Sequence, residues 1–102
     1  MINIIWADSA RHDLLDLVEY LSDKNPKSAK EFVESIEKMR RNISKYPEIG
    51  YALDSILPVR QVLVDPARML YIKKENAIFI IACIHQSMDW QTLLINRKIR
   101  EL

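Results

Sequence analysis

A single glycine and a single cysteine among 102 residues set the first limits on this chain. With Gly50 alone, no glycine-rich loop can wrap a phosphate in backbone N–H groups. With Cys83 alone, no intramolecular disulfide can form, and a reducing cytoplasm is the expected location. No set of His, Cys and Asp residues has metal-ligand spacing, so no metal is expected, and no cofactor motif is present. The longest apolar run, Ala77 to Ile84, is far short of the ~20 residues that cross a bilayer. The N-terminal residues Met1 to Trp6 lack the basic region and cleavage site of a signal peptide, so none is expected. A strong charge imbalance is also missing. The net charge is +1. It divides into −2 over residues 1–56 and +3 over residues 57–102. Dedicated nucleic-acid binders carry a larger excess, so direct nucleic-acid binding is not expected. The mildly basic second half suits an acidic protein partner instead.

The remaining composition, 49% hydrophobic and 28% charged, is that of an ordinary globular domain. The length predicts one domain over residues 1–102. Asn3 to Trp6 reads as a short strand. A helix follows, with Asp8 as its expected cap. Ala10, Leu14, Leu17, Val18 and Leu21 recur at helical spacing and form one apolar face, with Asp13, Asp16 and Glu19 off it. Asn25-Pro26 then reads as an N-cap followed by proline at the first helical position. The second helix carries the stripe Ala29, Phe32, Val33, Ile36, Met39 and Ile43. Its end is crowded with Lys38, Arg40, Arg41 and Lys45, a placement that suits the negative end of a helix dipole. The link between the two helices is too short for anything but an antiparallel hairpin.

Pro47 stops the second helix, and Gly50 is expected to adopt a backbone conformation that other residues avoid. Three strands follow, over Val59 to Val64, Arg68 to Lys74 and Ala77 to Ile84, with connections short enough to make them antiparallel neighbours. The last is apolar without interruption, as a strand buried on both faces must be. The predicted fold is α+β, in the order β-α-α-β-β-β, with the helical hairpin on one face of a small twisted, mostly antiparallel sheet. Residues 87–102 form a C-terminal tail that can be helical, with Leu93, Leu94 and Ile99 available to dock it.

Several of these segments match a known pattern in order and spacing. Ala10, Asp13-Leu14 and Tyr20 are similar to an "A..DL…Y" first helix. Tyr46-Pro47-Glu48-Ile49-Gly50 is similar to an "hP.(I/M)G" turn. Arg60 opens the middle strand, Arg68 and Tyr71 resemble an "R..Y" strand, and His85-Gln86-Ser87-Met88-Asp89 resembles an "H(Q/E)(S/R)MD" ending. Over nearly its whole length the chain resembles the ParE branch of the RelE/ParE toxins of bacterial type II toxin–antitoxin systems. The resemblance implies a small toxin neutralised by a cognate antitoxin, whose acidic or amphipathic segment wraps it. It implies DNA gyrase as the target, inhibited without catalysis. RelE-like relatives are instead ribosome-dependent mRNA endoribonucleases, the alternative reading.

The endoribonuclease reading makes chemical demands. Cleavage by the RNA's own 2′-hydroxyl needs a base, an acid and positive charge on the phosphate. Arg60 and Arg68 could supply charge, and His85 could move a proton, since histidine titrates near neutrality. Glu48 is a remote candidate base. RelE-like nucleases resemble one another in a dense basic set and a late tyrosine or histidine. Here Met88 stands where relatives often carry arginine, and no tyrosine follows Tyr71. No catalytic residue is therefore expected, and Arg60, Arg68, His85, Met88, Asp89 and Trp90 are the partner-binding candidates. Simpler roles are also open. Asp89 can cap a following helix, Met88 and Trp90 can pack, and Arg60 and Arg68 can pair with Asp54 or Asp65 across a hairpin.

Overall fold

The computed structural model describes residues 1–53 and 58–97. The elements run β1 (Asn3–Trp6), α1 (Asp8–Lys24), α2 (Pro26–Lys45), β2 (Tyr51–Ala52), β3 (Val59–Val64), β4 (Ala67–Lys74), β5 (Ala77–His85) and α3 (Trp90–Arg97). The five strands form one mixed sheet in the order β1-β5-β4-β3-β2. The β3–β4, β4–β5 and β2–β3 pairs are antiparallel, whereas β1 lies parallel to β5, with Asn3 opposite Ala77 and Trp6 opposite Ile80. A parallel neighbour requires a long crossover, and the α1–α2 hairpin followed by β2 to β4 supplies it.

One residue makes the bend of the hairpin. Asn25 donates its backbone N–H to Leu21 O (2.7 Å), closing α1. Its side-chain Oδ1 accepts from the N–H groups of Lys27 (3.0 Å) and Ser28 (3.4 Å), opening α2. Pro26, which has no N–H to lose, stands at the first helical position between them. At the start of α1 the expectation fails. The capping position belongs to Ala7, which offers no side-chain cap, and Asp8 is already helical. Asp8 can still act on the free N–H groups of the first turn as a negative charge at the positive end of the helix dipole.

The helices cover one face of the sheet. Ala10, Leu17, Phe32, Ile36 and Ile43 pack there against Val62, Val64, Ala67, Met69, Tyr71, Ile78, Ile80 and Cys83. Val33 departs from the expected stripe and is 43% exposed. Ser44 stitches the end of α2 to the start of the sheet: its backbone carbonyl accepts from the N–H of Ile2 (3.1 Å), and its hydroxyl donates to Ile2 O (2.5 Å). The basic end of α2 is partly neutralised within the helix, since Glu37 pairs with both Arg40 and Arg41.

The opposite face carries a second core of Val59, Leu70, Ile72, Ile81, Ala82 and Ile84, covered by Leu94 of α3 with Trp90 and Leu93 beside it. The tail is therefore helical over Trp90–Arg97. Ile99, the third expected docking residue, lies outside the described residues. Burial on both faces explains the uninterrupted apolar sequence of β5, and each such side chain contributes ~1.5–3 kcal/mol. The two-residue β2 has too little sequence for any periodicity to reveal it.

Candidate functional site

The two arginines proposed to act together lie on opposite faces of the sheet. Arg60 alternates in step with Val62 and Val64, which face the helices, and sits opposite Tyr71. Arg68 alternates in step with Leu70 and Ile72, which face α3. Tyr71 is four residues from Ala67 along β4, so the Arg60 and Ala67 ends of the sheet are ~13 Å apart. His85, opposite Ala67, shares the helix-side phase of Cys83. Arg60, Arg68 and His85 do not converge on one point.

At the Arg60 end, Tyr71 organises a tight turn. Its ring is buried, and its hydroxyl donates to Pro47 O (2.7 Å) while accepting the N–H of Gly50 (2.9 Å). Burial raises the Tyr71 pKa above its ordinary value, against the opposing effects of the Gly50 N–H and the nearby Arg60 charge. The phenol thus stays protonated, as its bond to a carbonyl requires. Arg60 completes the turn, donating from Nη1 to Gly50 O (2.7 Å) and Glu48 O (3.4 Å).

Gly50 has no positive φ, contrary to expectation. Space is the reason for glycine here. A Cβ would stand 2.7 Å from Gln61 O, 2.7 Å from the Tyr71 hydroxyl oxygen and 2.9 Å from its ring. Beside this turn opens a cleft of about 330 Å³. Pro47, Pro58, Ala52 and Val59 wall it, and Arg60, Lys73 and Glu48 bring charge to it.

The His85–Asp89 segment turns back on itself at the other end. His85 Nδ1 accepts the N–H of Ser87 (3.1 Å) and lies 2.8 Å from the Ser87 hydroxyl. Gln86 donates its backbone N–H to Pro66 O (3.0 Å), and its carbonyl accepts from Arg68 Nη2 (3.3 Å). Arg68 and Arg60 therefore bond backbone carbonyls, and neither forms an ion pair with Asp65. Asp54, the other expected partner, lies outside the described residues. Asp89 caps α3, accepting from the N–H groups of Gln91 (3.0 Å) and Thr92 (3.3 Å) and from the Thr92 hydroxyl (2.7 Å). The Thr92 hydroxyl bond, followed by the backbone donors, holds its carboxyl below the usual range. Trp90 packs against the second core, whereas Met88 is 46% exposed. Among the described residues no group of acidic, His and Cys side chains could hold a metal ion.

A model of the ParE toxin of type II toxin–antitoxin systems (parDE) matches residues 4–90, a span that contains both the Arg60 turn and the His85–Asp89 segment. The chain belongs to the ParE toxin family. This ParE-family toxin also resembles solved structures in fold. A chain of the chromosomal ParDE system from P. aeruginosa superposes with a TM-score of 0.71 at 18% identity, covering 83% of this chain and 96% of that one. The YoeB dimer from Staphylococcus aureus gives 0.58 at 18% identity, covering 83% and 97%. A YoeB/ParE toxin from Agrobacterium tumefaciens gives 0.57 at 16%, covering 83% and 99%. No curated protein sequence matches the chain.

Four residues that shape the toxin's structure or its cleft carry little signal in the local sequence. Asp13 lies off the apolar face of α1, yet its side chain is only 12% exposed and paired with Arg97. Tyr71 stood out only through its place in the family pattern, and Lys73 only as part of a turn. Arg97 had no local signal at all, because its partner lies 84 positions away.

Proposed function

We propose that this ParE-family toxin acts by binding protein, inhibits DNA gyrase, and is held inactive by a cognate antitoxin. The observation that carries the non-catalytic reading is the separation of Arg60, Arg68 and His85. RNA cleavage needs its acid, base and phosphate-binding charge around one phosphodiester. Arginines on opposite faces of a sheet cannot grip the same phosphate. The proton-accepting nitrogen of His85 is also already held by Ser87. Gyrase is the target that membership of the ParE family favours, and the site of action would be the cytoplasm. No described helix is long and apolar enough to cross a membrane.

The test is a supercoiling assay with purified gyrase and the full chain, together with induction in cells lacking the antitoxin. Inhibited supercoiling and filamentous cells with damaged DNA are expected. Normal supercoiling at saturating toxin, with mRNA cut in translating ribosomes, would replace this reading with the endoribonuclease one.

A further inference from the structure

Two features meet at Ala52: the open edge of the sheet and the charged cleft. Among the described residues β2 ends the strand order and is paired on one side only, with β3. Both its residues are exposed, Tyr51 to 75%. An edge of this kind offers unpaired N–H and C=O groups to an added strand. Alternate side chains of such a strand point to the same face, and Ala52 is itself part of the cleft wall.

The charge of the cleft selects what can enter. Arg60 and Lys73 contribute two positive groups and Glu48 one negative group. Among the described residues neither cation forms an ion pair. The groups that Arg60 does bond, Gly50 O and Glu48 O, are neutral carbonyls. Its Nη1 is fixed by them, so the guanidinium is oriented before any ligand arrives, which lowers the entropy lost on binding. About 330 Å³ lies at the small end of ligand pockets, which run ~300–1,000 Å³. The walls are prolines, an alanine and a valine, and the ring of Tyr71 is buried in the core. Among the described residues the aromatic that lines the cleft is Tyr71, whose ring at 1% exposure offers no open face on which a nucleobase could stack, as single-stranded nucleic acid requires.

We infer that this cleft is a carboxylate pocket, which receives an Asp or Glu side chain of an extended acidic segment of a protein partner added as a strand to β2. The inference rests on the protein-binding reading above and assigns a place and a chemistry to the contact. Arg60 and Lys73 hold the carboxylate, and the backbone of Tyr51–Ala52 pairs with the segment. Hydrogen bonds to an ionised group are shorter and stronger than neutral ones, so most of the selectivity comes from the acid.

The experiment titrates the isotope-labelled full chain, followed by amide NMR, with the peptide acetyl-Thr-Val-Glu-Val-Thr-amide. The same peptide with Gln in place of Glu and a five-nucleotide uridine strand are the comparisons. Saturable shifts at Gly50, Tyr51, Ala52 and Arg60 are expected, with the Glu peptide at least fivefold tighter than the Gln peptide. Lys73→Gln, at an exposed position that leaves the core intact, should remove most of that preference without changing binding of the Gln peptide. Three results would overturn the inference: no saturation, equal affinity for the two peptides, or preference for the nucleotide strand at these amides. Because the supercoiling assay uses no peptide, it fails or succeeds separately. Gyrase inhibition without peptide binding removes only the pocket, and peptide binding without gyrase inhibition removes only the target.

Discussion

Asp13 on α1 and Arg97 on α3 form a two-pronged ion pair across the edge of β5. Nη2 donates to Oδ1 (2.6 Å) and Nη1 to Oδ2 (2.7 Å). The pair also completes the strand. β1 reaches only to Ile80 along β5, and Ile81 is left without a partner where the β4–β5 register shifts. Asp13 Oδ2 accepts the N–H of Cys83 (3.0 Å), and Arg97 Nη1 donates to Ile81 O (3.0 Å). Two backbone groups that would otherwise lose their partners are satisfied by side chains from the first and last helices.

Removing either partner should therefore cost more than an exposed ion pair would. Arg97→Ala leaves a carboxylate at 12% exposure without its cation. Allowing for partial exposure of the pair, a loss of ~2–3 kcal/mol is expected in urea unfolding. Asp13→Ala strips both Arg97 and the Cys83 N–H and should cost more than Arg97→Ala. A double-mutant cycle that found no coupling between the two positions would show that the pair contributes nothing.

Gly50→Ala should destabilise through collision with backbone rather than through φ. The atoms it would meet include a carbonyl of β3 and the rim of a buried ring, neither free to move aside. Overpacking of this kind costs ~1–3 kcal/mol. Tyr71→Phe should cost a similar ~1–3 kcal/mol, because it leaves the Gly50 N–H unbonded. Thermal unfolding of the two single variants and the double variant tests the link. Tyr71→Phe should relieve Gly50→Ala only in part, since the Gln61 carbonyl stays in place.

The Cys83 thiol should be inert in the native protein. Burial, with the neighbouring Asp13 charge as a lesser cause, pushes its pKa up to about 12. The unfolded thiol ionises near 9. A raised folded pKa adds stability that is fully present below the unfolded value and is lost as pH rises toward the folded one. Stability measured by urea should consequently fall between about pH 9 and 12, and a Cys83→Ser variant should show less of that fall. At pH 8 the native thiol should resist a disulfide reagent until urea is added, and rapid labelling of the native protein would contradict its burial.

Asp89→Ala should loosen α3 while leaving the rest of the toxin folded. Loss of a capping carboxylate leaves the first N–H groups of the helix without their acceptor and weakens that turn. Hydrogen exchange should quicken at Leu93 and Leu94, with the amides of β4 unchanged. Uniform quickening across the sheet would mean that α3 is integral to the global fold rather than a separately opening unit.

Local sequence chemistry determined the pieces of this protein that short-range forces control. Asn25-Pro26 ends one helix and begins the next through bonds reaching only two to four residues. The uninterrupted apolar sequence of β5 requires burial on both faces wherever the strand is placed, and Asp89 caps α3 through neighbours two and three residues on. Tertiary structure alone decided the parallel β1–β5 pair, the two-residue β2, the opposite facing of Arg60 and Arg68, the steric need for Gly50, and the bond between Asp13 and Arg97. Each of these depends on where distant segments meet. A residue's own side chain carries its local preferences, but not the identity of the atom that will stand 3 Å away once the chain has folded.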